Sequence, residues 1–205
     1  MHVYTGEGKG KTTASLGLAL RAVGQGFSVF MIQFMKGGAY TGEYVAAKNF
    51  VPNLEILQFG RPCIKQQKQL KIQGFYSLSE EEKNKKLFDY VREDIECGNC
   101  RYCFLNDAIQ RDYVEEAFKK CLEVVMSGNY PIIVLDEINT AMSLEFLNTE
   151  LVLNMLANKP DHVEIILTGR GVPVEISEIA DLVTEMKAEK HYFDKGVPAR
   201  RGVEY

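Results

Sequence analysis

A glycine-rich stretch near the start of the chain has the residue types needed to bind phosphate. Glycines let successive backbone N–H groups turn toward an anion, and a lysine adds a full positive charge. Gly10-Lys11-Thr12 matches the end of the motif GxxxxGK[ST], in which the lysine contacts the distal phosphates and the hydroxyl serves Mg²⁺. Thr5 stands where the motif has its first glycine. We expect a nucleotide phosphate site formed by Gly6, Gly8, Lys9, Gly10, Lys11, Thr12 and Thr13.

Two acidic residues follow an apolar stretch far downstream of this loop. Residues 132–135 are all apolar, and Asp136 and Glu137 come next. Acids at the end of a buried strand are the Walker B arrangement, which completes an octahedral Mg²⁺ shell with a loop hydroxyl, water and phosphate oxygens. The pattern predicts that Thr12, Asp136 and Glu137 hold Mg²⁺, or Mn²⁺ in its place. Two solvated acids in a turn are the alternative.

Three basic residues outside the loop are candidate phosphate contacts. Arg170 lies between glycines at another predicted strand end, where its planar guanidinium could clamp phosphate. Lys36 follows a buried strand, and a phosphate contact or a solvated position fits it equally well. Arg21 lies one helix away from the loop, and a packing or surface role is its alternative.

Three cysteines, Cys97, Cys100 and Cys103, have two-residue spacing, and Cys63 lies upstream. Such spacing resembles zinc or iron–sulfur ligation, and four thiolates would complete a tetrahedral site. A group of loop thiols is the alternative. Cys121, in contrast, lies on the apolar face of a predicted helix and is expected in the core.

The composition restricts the class of protein. The 205 residues suffice for one domain with a full sheet, so we expect a single domain over 1–205. The net charge of −4 argues against a nucleic-acid surface, and no apolar run reaches the roughly 20 residues that span a bilayer. Because no secretory signal precedes the loop, we expect a cytoplasmic enzyme.

Strand-like and helix-like patterns alternate along the chain and must position these residues. Such alternation predicts an α/β fold of the P-loop, RecA-like type, with a mostly parallel sheet and helices on both faces. Residues 60–107 are more polar and predict a helical, cysteine-containing insertion. The strands after the first are expected at 28–34, 54–59, 132–137, 162–167 and 182–186. Helices are expected at 14–23, 43–50, 107–126, 144–156 and 174–180.

Five stretches of the chain resemble one known family. They are TGEGKGKTTASLGLALRAVGQG, VFMIQFMKG, VLDEINTAMSLEFL, ILTGRG and ADLVTEMKAEKHYFDKGVPARRGVEY. In this order they are similar to the ATP:corrinoid, or cob(I)alamin, adenosyltransferases of the cobalamin-synthesis type. The resemblance leaves out mainly residues 60–107. It also accounts for Thr5, because loops of this family carry threonine before glycine at that place.

The resemblance implies transfer of the 5′-deoxyadenosyl group of ATP to Co(I) of a reduced corrinoid, with release of triphosphate. By motif position it assigns phosphate contacts to the loop, with Arg21 and Arg170 added. Lys11, Thr12 and Glu137 then carry the catalytic roles. A plain Mg-dependent ATPase, or a nucleotide switch that delivers cobalamin, shares the loop and the acids.

Further expectations follow from the same resemblance. Family members pack aromatic side chains against the corrin so that the lower axial ligand of cobalt is lost. The candidates here are Phe59, Phe75 and Tyr76, and for each of them ordinary core packing is the favoured alternative. Family members usually carry a segment before the loop that covers the site, so here the insertion or a second subunit would close it. The implied partners are ATP and a corrinoid, a flavoprotein-type reductase and a second copy of the chain in a homodimer.

Overall fold

The computed structural model describes residues 1–37, 41–62, 102–200 and 202–204. Strands and helices alternate along these residues. The strands are β1 (His2–Thr5), β2 (Val29–Phe34), β3 (Leu54–Phe59), β4 (Ile132–Asp136), β5 (Glu164–Thr168) and β6 (Leu182–Glu185). The helices are α1 (Lys11–Gly24), α2 (Gly42–Phe50), α3 (Ala108–Ser127), α4 (Ile138–Ser143), α5 (Thr149–Asn158) and α6 (Val174–Ile179). Two short 3₁₀ helices span Tyr102–Phe104 and Tyr192–Lys195.

These strands form one sheet in the order β3-β2-β4-β5-β1-β6, and every pairing in it is parallel. Strand β2 is buried along its whole length, as its sequence predicts, since it is apolar except for Gln33. In a parallel sheet all carboxyl ends lie at one edge, where ligands of open α/β folds bind. The loops after β1, β2, β4 and β5 therefore meet there, and the predicted fold class is confirmed.

Helices cover both faces of the sheet, because side chains alternate along each strand. On one face, Val29 and Met31 of β2 pack with Ala19 of α1 and Ala47 of α2. The larger cluster on the other face includes Phe30, Ile32 and Phe34 of β2 with side chains of α3 to α6. The predicted core thiol Cys121 is fully buried in this second cluster, and Phe59 packs against its edge.

The expected helix over 144–156 is wrong at its start. Helix α4 already forms over Ile138–Ser143, and the chain then turns at Glu145, whose φ of 56° is left-handed. Asn148 caps the next helix, since its side chain accepts a hydrogen bond from the N–H of Glu150 at 2.8 Å. The apolar spacing of Leu144 and Phe146 reflects packing of a turn against the core.

The two ends of the predicted insertion are close together. Arg61 forms an ion pair with Asp107, and its backbone N–H donates to the side chain of Gln110 at 3.0 Å. The amide of Gln110, fully buried, also donates to the carbonyl of Met35. The predicted helix of the insertion lies outside the described residues. So do five residues proposed within it: Cys63, Phe75, Tyr76, Cys97 and Cys100.

Within residues 1–37, 41–62, 102–200 and 202–204, no helix combines the length needed to span a membrane with sufficient apolar character.

Candidate functional site

A cleft of about 600 Å³ opens at the carboxyl edge of the sheet. Its floor is the loop between β1 and α1. Residues from three other parts of the chain complete its walls: the loop after β2 with α2, the loops after β4 and β5, and the C-terminal segment. The lining is Glu7–Thr13, Leu16, Lys36, Gly42, Glu43, Ala46, Glu137, Arg170, His191, Tyr192 and Gly202–Glu204.

The glycines of the phosphate loop allow close contact with the segment after β6. A Cβ atom at Gly6 or Gly8 would lie 2.5 or 2.7 Å from the carbonyl oxygen of Met186. The N–H of Gly8 donates to this oxygen at 2.7 Å, and the N–H of Met186 donates to Thr5 at 2.8 Å. Gly8 therefore anchors the loop with its own N–H. Gly6 lies behind the cleft lining, with a φ of 96°.

Lys11 begins α1, and its side chain folds back into the loop. The ammonium donates to the carbonyls of Gly6 and Gly8 at 2.6 and 2.8 Å. The side chain is nearly buried, and this burial lowers the pKa of Lys11. A lysine whose charge is only partly compensated is suited to binding an anion at the cleft floor.

Asp136 is fully buried at the end of β4 and is surrounded by donors. Its Oδ1 accepts from the hydroxyls of Thr12 at 2.9 Å and Thr168 at 2.7 Å. Its Oδ2 accepts from Gln33 at 3.0 Å and from Lys36 at 2.7 Å. Burial by itself raises the pKa of Asp136, but Lys36 and the hydroxyls outweigh it and hold this pKa below its usual range.

A polar row at the same sheet edge supports this carboxylate. Gln58, Gln33 and Asp136 occupy matching positions on β3, β2 and β4. Gln58 donates to the side-chain oxygen of Gln33 at 2.8 Å. This hydrogen bond fixes the orientation of the Gln33 amide. Sequence reasoning missed both glutamines. A polar residue inside an otherwise apolar strand was the available signal.

Glu137 lines the cleft in a strained backbone conformation with a φ of 65°. Its N–H donates to Thr168 at 3.0 Å, and its carboxylate accepts from Thr140 at 2.6 Å. The Thr140 hydroxyl in turn accepts from the N–H of Arg170 at 2.9 Å. The two threonines therefore join the loops after β4 and β5.

The predicted phosphate-binding arginines differ in their placement. Arg170 lines the cleft and faces the phosphate loop, where its guanidinium lies 3.2 Å from the carboxylate of Glu7. Arg21 lies exposed in the last turn of α1, outside the cleft lining. Lys36 lines the cleft in an ion pair with Asp136, so it is not a solvated loop lysine. Thr13 also lines the cleft.

Lys9 is directed away from the cleft floor, toward the C-terminal segment. Its ammonium donates to Tyr192, to the carbonyl of Val203 and to the carboxylate of Glu204. The sequence reasoning had not assigned any role to these three residues. No short motif links them to the loop.

The comparison with known proteins agrees with this geometry. The family model for "ATP:corrinoid adenosyltransferase BtuR/CobO/CobP" matches residues 1–109 and 70–205. A corrinoid adenosyltransferase of Sinorhizobium is 31% identical, covering 99% of this chain and 78% of its own length. The corrinoid adenosyltransferase of Escherichia coli K12 is 30% identical, with 99% and 84% covered. That of Pseudomonas aeruginosa is 29% identical, with 99% and 82% covered. The chain therefore belongs to the ATP:corrinoid adenosyltransferase family.

Proposed function

We propose that this protein transfers the 5′-deoxyadenosyl group of ATP to Co(I) of a reduced corrinoid. Co(I) supplies the electron pair of the new bond to C5′ of the ribose. The bond between C5′ and the α-phosphate oxygen breaks, and inorganic triphosphate leaves with the electron pair of this broken bond. The observation that carries this proposal is a phosphate loop and cationic side chains lining one cleft, with the buried carboxylate of Asp136 bonded to two of the lining residues, in a chain of this family.

The proposed work of the loop is to stabilise the whole triphosphate as a leaving group. Negative charge develops on the oxygen that departs from C5′, and preorganised donors and cations lower the barrier most when they face that charge. Lys11 at the cleft floor and Arg170 at its rim are the side chains suited to this role. In ordinary P-loop hydrolysis, in contrast, the charge that matters lies on a transferring γ-phosphoryl group.

The residues present fit a bound Mg²⁺ ion. Thr12 and Asp136 lie 2.9 Å apart at the loop, and Mg²⁺ is typically held by one or two protein oxygens together with waters and phosphates. Within 1–37, 41–62, 102–200 and 202–204, no group of three or more His, Cys, Asp or Glu residues could hold a metal alone. Thr12 and Asp136, with Glu137, would therefore hold the ion together with the triphosphate. The bound ion would neutralise charge on the leaving group.

One assay separates this proposal from its alternatives. The protein is mixed anaerobically with ATP, Mg²⁺ and chemically reduced cobalamin, the cobalamin absorbance is followed, and the phosphate product is identified. Adenosyltransfer yields a cobalt–carbon bond and triphosphate in equal amounts. An ATPase, in which Glu137 would position water, yields ADP and phosphate without cobalamin. A delivery switch binds both ligands and yields neither product, and either result would overturn the proposal.

Three expectations complete the proposal. A flavoprotein-type reductase would supply the electron, two copies of the chain would form a homodimer, and the reaction would take place in the cytoplasm. These stay predictions of the sequence and of the family resemblance. The homodimer is tested by light scattering at several protein concentrations.

A further inference from the structure

The side chain of Lys9 is bound entirely by the C-terminal segment. Its ammonium lies 3.1 Å from the hydroxyl of Tyr192, 2.7 Å from the carbonyl oxygen of Val203 and 2.6 Å from Oε1 of Glu204. An ammonium group has three N–H donors. All three have acceptors in this segment, so Lys9 could contact phosphate with its side chain only after losing one of them.

Glu204 is the centre of this group of residues. Its carboxylate accepts from Lys9 and Tyr192, and also from the backbone N–H of Arg200 at 2.6 Å and its guanidinium at 3.3 Å. The guanidinium of Arg200 stacks over the Tyr192 ring at 4.5 Å. Burial raises the pKa of Glu204, but hydrogen bonds from Lys9, Tyr192 and Arg200 outweigh the effect of burial. They hold this pKa well below its usual range. Glu204 therefore stays ionised at neutral pH.

These contacts act on the part of the loop directly before α1, where Lys11 also donates to the carbonyl of Gly8. Lys9 lies between Gly8 and Gly10, and Gly10 is the N-cap residue of α1, with a φ of 121° and no side-chain cap. The N–H of Gly8 is bound by Met186. The backbone conformation from Gly8 to Gly10 thus depends on two distant segments, one after β6 and one at the C-terminus. Five members of the C-terminal segment also line the cleft: His191, Tyr192, Gly202, Val203 and Glu204.

We propose that Glu204 is a positioning residue for the triphosphate: acting through Lys9, it holds the phosphate loop in the conformation that binds the anion. Glu204 itself does not bind phosphate, because two anions would repel each other. The inference rests on the proposed function only in taking triphosphate as the ligand. The sequence predicts that the Lys9 side chain contacts phosphate. In the role proposed here, this side chain anchors the loop instead.

Calorimetric titration with inorganic triphosphate tests this role. Glu204→Gln keeps the shape of the side chain and removes its charge, and we expect triphosphate binding to weaken about tenfold, or ~1.4 kcal/mol. Glu178→Gln, an exposed glutamate on α6, is the matched control and should bind like the wild type. Tighter binding by Glu204→Gln would overturn the proposal, since it would mean that the C-terminal segment competes with phosphate for Lys9.

A double-mutant cycle separates positioning from a general loss of stability. If Glu204 acts through Lys9, then Glu204→Gln should have no further effect on binding in a Lys9→Met background. Additive effects of the two changes would overturn the proposal. Amide hydrogen exchange of residues 8–10 provides a second readout, and faster exchange is expected in Glu204→Gln but not in Glu178→Gln.

The binding assays need no corrinoid, so failure of the two proposals can be told apart. If the wild type binds triphosphate with the expected coupling but forms no cobalt–carbon bond, the proposed function fails and the positioning role stands. If the cobalt–carbon bond forms and the cycle is additive, the positioning role fails alone.

Discussion

The ammonium of Lys36 lies 2.7 Å from Oδ2 of Asp136; Lys36 lines the cleft, and Asp136 is fully buried next to it. This ion pair joins the loop after β2 to the end of β4. Asp136 is also the carboxylate expected to serve Mg²⁺. Lys36 therefore compensates the charge of this buried carboxylate. The following predictions depend on this pair and on the phosphate loop beside it.

Removing one partner of the pair should destabilise the protein. Lys36→Met leaves Asp136 buried without its cation, and loss of one member of a buried pair typically costs about 3–5 kcal/mol. We expect a loss of this order in the free energy of unfolding, measured with urea. The double variant Lys36→Met/Asp136→Asn should recover part of it, and equal stability of the single variant and the wild type would contradict the assignment.

The same variant should reverse the pH dependence of stability. In the wild type the folded-state pKa of Asp136 lies below its unfolded value of about 3.9, so its stabilising contribution is present above about pH 4 and is lost below it. Without Lys36, burial remains and raises this pKa, so protonation would favour folding. Lys36→Met should therefore become more stable relative to the wild type as the pH falls from about 7 to about 5. If the free energies of unfolding in urea of the variant and the wild type depend on pH in the same way, this prediction is contradicted.

Lys11→Ala should abolish triphosphate release. We propose that its ammonium at the cleft floor stabilises the charge that develops on the leaving group, and loss of one such electrostatic contact commonly costs about 10² to 10³ in rate. Single-turnover formation of adenosylated cobalamin measures the loss. Lys119→Ala, which changes an exposed lysine on α3, is the control. Turnover of Lys11→Ala near the wild-type rate would refute the assignment.

Two glycine substitutions should have opposite effects. The Cβ of Gly8→Ala would meet the Met186 carbonyl at 2.7 Å, so we expect a loss of about 1–3 kcal/mol in stability and weaker ATP binding. Gly17 lies within α1 with open space around it, and Gly17→Ala should stabilise the protein by about 0.5–1 kcal/mol. Thermal unfolding and ATP titration of both variants test the pair. Equal behaviour of the two would contradict the close approach of the loop to Met186.

The cysteine group is tested by metal analysis. If these cysteines bind a metal rather than form a group of loop thiols, anaerobically purified protein should contain zinc or iron bound by Cys97, Cys100 and Cys103, with Cys63 as a candidate fourth ligand. Replacing the three closely spaced cysteines by serine should remove the metal. Purified wild-type protein with neither metal would refute the site.

The local sequence determined much of this protein. The strand, loop and helix of the phosphate site follow from neighbouring residues, since glycine freedom, helix starts and continuous apolar strands are short-range effects. For the same reason the sheet class was predictable. The helix over 144–156 was predicted wrongly, because the left-handed turn at Glu145 interrupts a spacing that remains apolar.

Only the tertiary structure decided which distant side chains meet. The contacts of Asp136 with Gln33 and Lys36 depend on β2 and β4 being neighbours in the sheet, although about a hundred residues separate them. Lys9 and Glu204 lie 195 positions apart. Charge and hydrogen bonding act over a few ångströms of space, and residue spacing in the chain carries no signal for such pairs. The sequence therefore determined the chemical groups of the cleft. The fold decided which of these groups line the cleft and which form hydrogen bonds or ion pairs with one another.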